Sequence, residues 1–138
     1  MRKLVIILFA TMVGVSFLSC TKKNKEDIPL SVVENKAVIK FENDILDFHT
    51  INDGEKVTGS FKFKNTGKHD LVISDVSANC GCTVADYPHN EIKSGQEGTI
   101  SVTYDSKGSK GMRVQKQITV LSNTDPPRHI LKIVADVR

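Results

Sequence analysis

From residue 37 to the end of the chain, apolar and polar side chains alternate in short runs separated by turn formers. Val57, Phe61 and Phe63 alternate with Thr58, Ser60, Lys62 and Lys64, and Gly59 falls on the apolar side. A period of two is what a β-strand with one buried face produces, because successive side chains point to opposite faces. Ile100, Val102 and Tyr104 alternate in the same way with Thr99, Ser101 and Thr103, as do Ile118 and Val120 with Gln117 and Thr119. The final run sets Leu131, Ile133, Ala135 and Val137 against Ile130, Lys132, Val134 and Asp136. Leu71-Val72-Ile73 opens a strand running toward Val76, and Val38 to Phe41 and Leu46 to Phe48 supply two shorter ones. Asn65-Thr66-Gly67-Lys68, Asp105 to Gly111 and Ser122 to Pro127 read as turns or loops. This gives about seven short strands and no amphipathic helix of useful length, the pattern of an all-β antiparallel sandwich or barrel. Phe61, Phe63, Ile100, Val102, Tyr104, Ile118, Val120 and Ile133 are expected to meet in one core between two sheets.

The first residues follow a different pattern. Arg2 and Lys3 precede an uncharged apolar run from Leu4 to Leu18. That run falls short of the roughly 20 apolar residues that span a bilayer. A positive start and a short greasy core are the parts of a secretory signal. Its end, Phe17-Leu18-Ser19-Cys20, resembles the lipobox of bacterial lipoproteins, in which the cysteine is lipidated and becomes the new N-terminus. The plainer alternatives are an uncleaved signal anchor or a secreted protein with an ordinary thiol at Cys20. Beyond it, Thr21 to Lys36 is polar and aperiodic, a tether of about 20–25 Å if it behaves as a flexible coil. The expected organisation is a signal peptide over residues 1–19, a lipid-bearing Cys20 and linker over residues 20–36, and a sandwich domain over residues 37–138.

Removing the signal changes the charge. The whole chain carries 19 basic and 16 acidic residues, but the mature part retains 17 against 16, a balance of +1. No basic run with interleaved aromatics remains, so nucleic acid is not an expected partner. No Gly-x-Ser-x-Gly, His-Glu-x-x-His or phosphate-cradling loop occurs either, which leaves hydrolytic chemistry without a basis. His49, His69, His89 and His129 are scattered through polar loops and strand ends and read as surface residues. Lys107, Lys110 and Arg113 cluster at a glycine-rich loop, a solvated hairpin tip or a contact for anionic lipid or glycan.

Chemistry is plausible at Cys80-Gly81-Cys82, the two thiols left once Cys20 carries lipid. Three readings stand side by side. The sulfurs can form a disulfide across one residue, which requires the loop to curl because extended residues two apart lie about 6–7 Å from each other, a curl that Gly81 is expected to permit. Such a bond is expected to be readily reduced. The thiolates can instead bind Cu(I), or Zn²⁺ with help from His89 or, next, His69, although no standard zinc spacing is present. The thiols can also simply pack at the edge of the sandwich.

These residues together resemble the Ig-like lipoprotein family catalogued as domain of unknown function fifteen seventy-three, over roughly Ile39 to Val137. The resemblance rests on Asp47-Phe48-His49-Thr50-Ile51 before Gly54-Glu55-Lys56-Val57, on Phe61 through Gly67, on Leu71-Val72-Ile73, and on Cys80-Gly81-Cys82-Thr83. Gly95-Gln96-Glu97-Gly98 leading into Ile100 to Tyr104, and Ile118-Thr119-Val120 through Leu131-Lys132-Ile133, complete it. His49 stands where the family pattern has Gly, and Ser94 where Pro usually precedes Gly95. The resemblance implies an Ig-like β-sandwich of the ASPM/Hydin type and no established activity. The expected function is a non-enzymatic binding or scaffold module, lipid-anchored to the envelope, with the outer membrane of a Gram-negative bacterium as its expected place. An envelope protein or glycan is its expected partner, and no cofactor is expected apart from the covalent lipid. The alternative is a thiol-redox or soft-metal-handling protein acting through Cys80 and Cys82.

Overall fold

The structure, a computed structural model, describes residues 36–138; the expected signal peptide, Cys20 and all but the last residue of the expected linker lie outside the described residues. Eight strands follow one another: β1 (Ile39–Phe41), β2 (Ile45–Ile51), β3 (Lys56–Asn65), β4 (Ile73–Ala78), β5 (Thr83–Asp86), β6 (Glu97–Asp105), β7 (Arg113–Ser122) and β8 (Arg128–Val137). One sheet has the order β1-β3-β6-β5 and the other β2-β8-β7-β4. The alternating side chains explain why two sheets form. Each long strand carries one apolar face, and that face leaves water only by facing its counterpart on the other sheet. All eight residues expected in the core are buried, with Phe61, Phe63, Ile100, Val102, Tyr104, Ile118, Val120 and Ile133 each no more than 2% exposed. Gly59 sits on the buried side of β3 because the sheets close tightly there. A side chain at that position would run into Leu46 and Phe48 of β2.

The architecture agrees with an Ig-like sandwich and departs from the sequence reading in three details. Strand β2 pairs with β8 in parallel, whereas every other pairing between the eight strands is antiparallel. Strand β5, only four residues long, was not foreseen, which makes eight strands among the described residues where about seven were expected. Leu71 lies outside β4 and forms an isolated bridge with Ile92.

Two poles follow from the strand directions. At one, Lys36 pairs with Asp125 at 3.1 Å, Ala37 bridges Thr124, and the Thr66 N–H donates to the Val38 carbonyl. The chain enters the domain at this pole. At the other, the Arg138 N–H donates to the Ile51 carbonyl, Ser109 N–H to Asp53, and Ser106 Oγ to the Asn52 carbonyl at 2.7 Å. Strand β6 connects the two poles, from Glu97 near the first to Asp105 at the second, a length of about 27 Å at 3.4 Å per residue.

Candidate functional site

Cys80-Gly81-Cys82 lies between β4 and β5, where the chain leaves one sheet and enters the other. Both strands are edges of their sheets, so the motif is a corner of the sandwich. Strand β6 fixes which end of the sandwich that corner occupies. Thr83 is opposite Tyr104, and the Asp105 N–H donates to the Cys82 carbonyl at 2.9 Å, so the motif sits at the pole away from Lys36.

The two sulfurs are joined in a disulfide, with the Cα atoms 5.3 Å apart. The closeness comes from a turn, closed by the Thr83 N–H on the Cys80 carbonyl at 3.4 Å. Gly81 is exposed and keeps φ out of the left-handed region, and a side chain there would meet nothing within 4 Å. The turn therefore does not use the conformational freedom of glycine. Both cysteines are half-buried; Cys82 packs against the hydrophobic core, and Cys80 Sγ lies 3.5 Å from Thr83 Oγ1. A sulfur in a disulfide carries no proton, so the Thr83 hydroxyl is the donor in that contact. Thr83 itself is buried.

Near this corner Asp105 and Arg113 are each paired. Asp105 accepts from the Lys107 N–H at 3.0 Å and faces Lys56 at 3.5 Å, and these two partners hold its carboxyl below the usual carboxylate range. Arg113, grouped in sequence with Lys107 and Lys110, is bound to Asp136 at 3.0 Å. Lys107 and Lys110 are exposed on the loop beside Met112, itself 56% exposed.

The other candidates scatter. His89 is exposed and lies against Tyr87, ring centroids 4.5 Å apart. Among the described residues no three His, Cys, Asp or Glu side chains converge as metal ligands, so Cys80, Cys82 and His89 are not assembled into a set. His69 is half-buried and offers its backbone carbonyl to Asn65 Nδ2 at 2.8 Å. His129, read as a surface residue, is half-buried instead: its Nε2 is 2.7 Å from Thr124 Oγ1, its ring lies 6.0 Å from that of Phe41, and burial lowers its pKa. Cys20 lies outside the described residues. A shallow pocket of about 140 Å³ between Phe41 and Phe63, rimmed by Lys40, Glu42, Lys64 and Glu97, is at the opposite end of β3 from Lys56 and apart from the cysteines. Sequence reading also passed over Thr83 as a partner of Cys80, although a hydroxyl three positions after a cysteine at a turn is the available signal.

No match is found among curated proteins. Among solved structures the chain is similar to a protein of unknown function from Porphyromonas gingivalis W83, with a TM-score of 0.68 and 20% identity over 80% of this chain and 51% of that one. It is similar also to the ASH/PapD-like domain 7 of human CEP192, with a TM-score of 0.59 and 13% identity over 75% of this chain and 87% of that one. The YadV chaperone gives a TM-score of 0.54 and 16% identity over 74% of this chain and 52% of that one. The chain thus spans about half the length of the Porphyromonas protein and of the chaperone. At such identities the likeness is one of fold, an Ig-like or PapD-like sandwich. The family model described as Protein of unknown function (DUF1573) matches residues 39–137, from the first strand to the last, and the chain belongs to that family.

Proposed function

We propose that this protein is a lipid-anchored module of the bacterial envelope that binds a protein partner at the pole opposite its anchor and carries out no enzymatic step on it. The observation that carries this reading is the polarity of the domain. The chain that leads back to Cys20 enters beside Asp125 and Thr124, whereas the corner at Cys80 to Cys82 and the loop from Ser106 to Met112 lie at the other end of β6. With lipid on Cys20, the second pole faces away from the membrane, within reach of envelope proteins. A diacylglycerol with an amide-linked chain, at about 0.8 kcal/mol per buried CH₂, gives stable anchoring, and the outer membrane of a Gram-negative cell is the bilayer proposed. The far pole offers what a contact needs: an exposed methionine on the same loop as two exposed lysines, and edge strands whose free backbone groups accept a further strand.

The two halves of the reading have separate tests. Cys20→Ala is expected to release the protein from the membrane fraction or to leave an uncleaved precursor; a variant that stays in the envelope at mature size contradicts the anchor. Replacing Lys107, Lys110 and Met112 together with Glu is expected to dissolve the complex that the solubilised wild-type chain forms in native gels, with the domain still folded. A complex that survives the triple change places the contact elsewhere.

A further inference from the structure

We propose that Cys80 and Cys82 form a thiol–disulfide exchange site for a dithiol protein of the envelope, in which Cys80 is the attacking sulfur and Thr83 is a positioning residue that donates a hydrogen bond to its thiolate. This goes beyond the binding reading and shares with it only the location at the pole.

Three features of the corner carry the inference. The turn is held by hydrogen bonds that do not involve sulfur: Asn79 N–H to the Gln117 carbonyl at 3.2 Å, Thr83 N–H to the Cys80 carbonyl at 3.4 Å, and Asp105 N–H to the Cys82 carbonyl at 2.9 Å. A disulfide across a single residue closes a very short loop and so removes little entropy from the unfolded chain. The bond is thus not needed to hold the corner, and the same backbone serves the oxidised and the reduced pair. The third feature is an asymmetry. Cys82 packs against the core, where a thiolate is disfavoured, whereas Cys80 has the buried Thr83 hydroxyl aimed at its sulfur, a bond that strengthens when the sulfur is charged. Among the described residues, Cys80 Sγ is the hydrogen-bond partner of that hydroxyl.

The exchange balances without a further reactant. In the reduced domain, the Cys80 thiolate attacks one sulfur of the partner's disulfide; the partner's other sulfur leaves as a thiolate and takes up a proton. Cys82 then loses its proton to solvent and attacks Cys80 Sγ, breaking the mixed disulfide and expelling the partner's remaining thiolate, which is protonated in turn. The domain ends oxidised, the partner ends as a dithiol, and two electrons have moved. The reverse sequence reduces the domain.

The test uses the full chain in detergent, equilibrated in glutathione buffers of varied ratio, with the peptides carrying Cys80 and Cys82 read by differential alkylation and mass spectrometry. The pair is expected to open to two thiols and close again reversibly, with the melting transition retained in both states. In a Cys82→Ser background, oxidised glutathione is expected to add to Cys80. Thr83→Val is expected to slow that addition about threefold to tenfold near neutral pH, through the lost fraction of thiolate, with the gap closing at alkaline pH and Thr83→Ser restoring the rate. A pair that opens only after the domain is denatured, or whose reduction unfolds it, overturns the exchange site. A Thr83→Val variant with the parent's pH–rate profile overturns the role of Thr83 and the choice of Cys80.

Discussion

Asn65 joins two loops through one side chain. Its Nδ2 donates to the carbonyls of His69 at 2.8 Å and Ile92 at 2.9 Å, and its Oδ1 accepts from the Gly67 N–H at 3.0 Å, all in a position with no exposure. The sequence marks Asn65-Thr66-Gly67 as a turn, but only the fold makes Asn65 the last inward-facing residue of β3. Asn65→Ala leaves the His69 carbonyl without its donor and the buried Gly67 N–H without its acceptor, while the Ile92 carbonyl keeps the Leu71 N–H; the change is expected to cost about 3 kcal/mol, read from the urea midpoint. Asn65→Asp, which turns a charged oxygen toward two carbonyls, is expected to cost at least as much; a neutral outcome for both contradicts this account of the turn. His49 makes the opposite case. It adopts φ 57°, in the left-handed region, at the point where the family pattern has glycine and where the pairing of β2 with β8 shifts register. A non-glycine residue there carries a steric cost of roughly 1 kcal/mol, so His49→Gly is expected to raise the melting temperature. A lower melting temperature contradicts the strain.

At the level of the strands, period-two alternation made β3, β6, β7 and β8 legible because each has one face against the other sheet. The contrast is testable within β3. Phe61→Ala is expected to cost about 3–5 kcal/mol, whereas Lys62→Ala, one position away on the solvent face, is expected to stay within about 0.5 kcal/mol. Strand β5 escaped because four residues following a turn give too short a run to show a period. The parallel pairing of β2 with β8 escaped because it joins segments more than eighty residues apart, which no local pattern encodes. The start of β8 carries a pH dependence. Burial lowers the His129 pKa from its ordinary value of 6.5, so below 6.5 the unfolded chain binds a proton that the folded domain resists. Stability at this site is full above 6.5 and falls as the pH drops through the window beneath it. His129→Gln is expected to flatten that part of the curve in denaturant midpoints taken across the range; an unchanged slope contradicts the assignment.

For the whole molecule, the amino-acid pattern identified the motif at Cys80 and Cys82 but not its place. Spacing alone left disulfide, metal and packing readings open, because the neighbours that distinguish them, Thr83 and Asp105, owe their position to the register of β5 on β6. The lengthwise polarity of the domain was equally hidden, since it depends on Lys36 meeting Asp125 across the fold. That polarity is the centre of the functional reading. It is tested most directly by photo-crosslinking in intact cells, with a photoreactive side chain placed either at Lys107, on the pole with the cysteines, or at Lys68, near the chain's point of entry. A discrete protein adduct from position 107 and none from position 68 is the predicted result, whereas adducts from position 68 alone, or from both positions equally, would contradict a partner held at the pole away from the membrane.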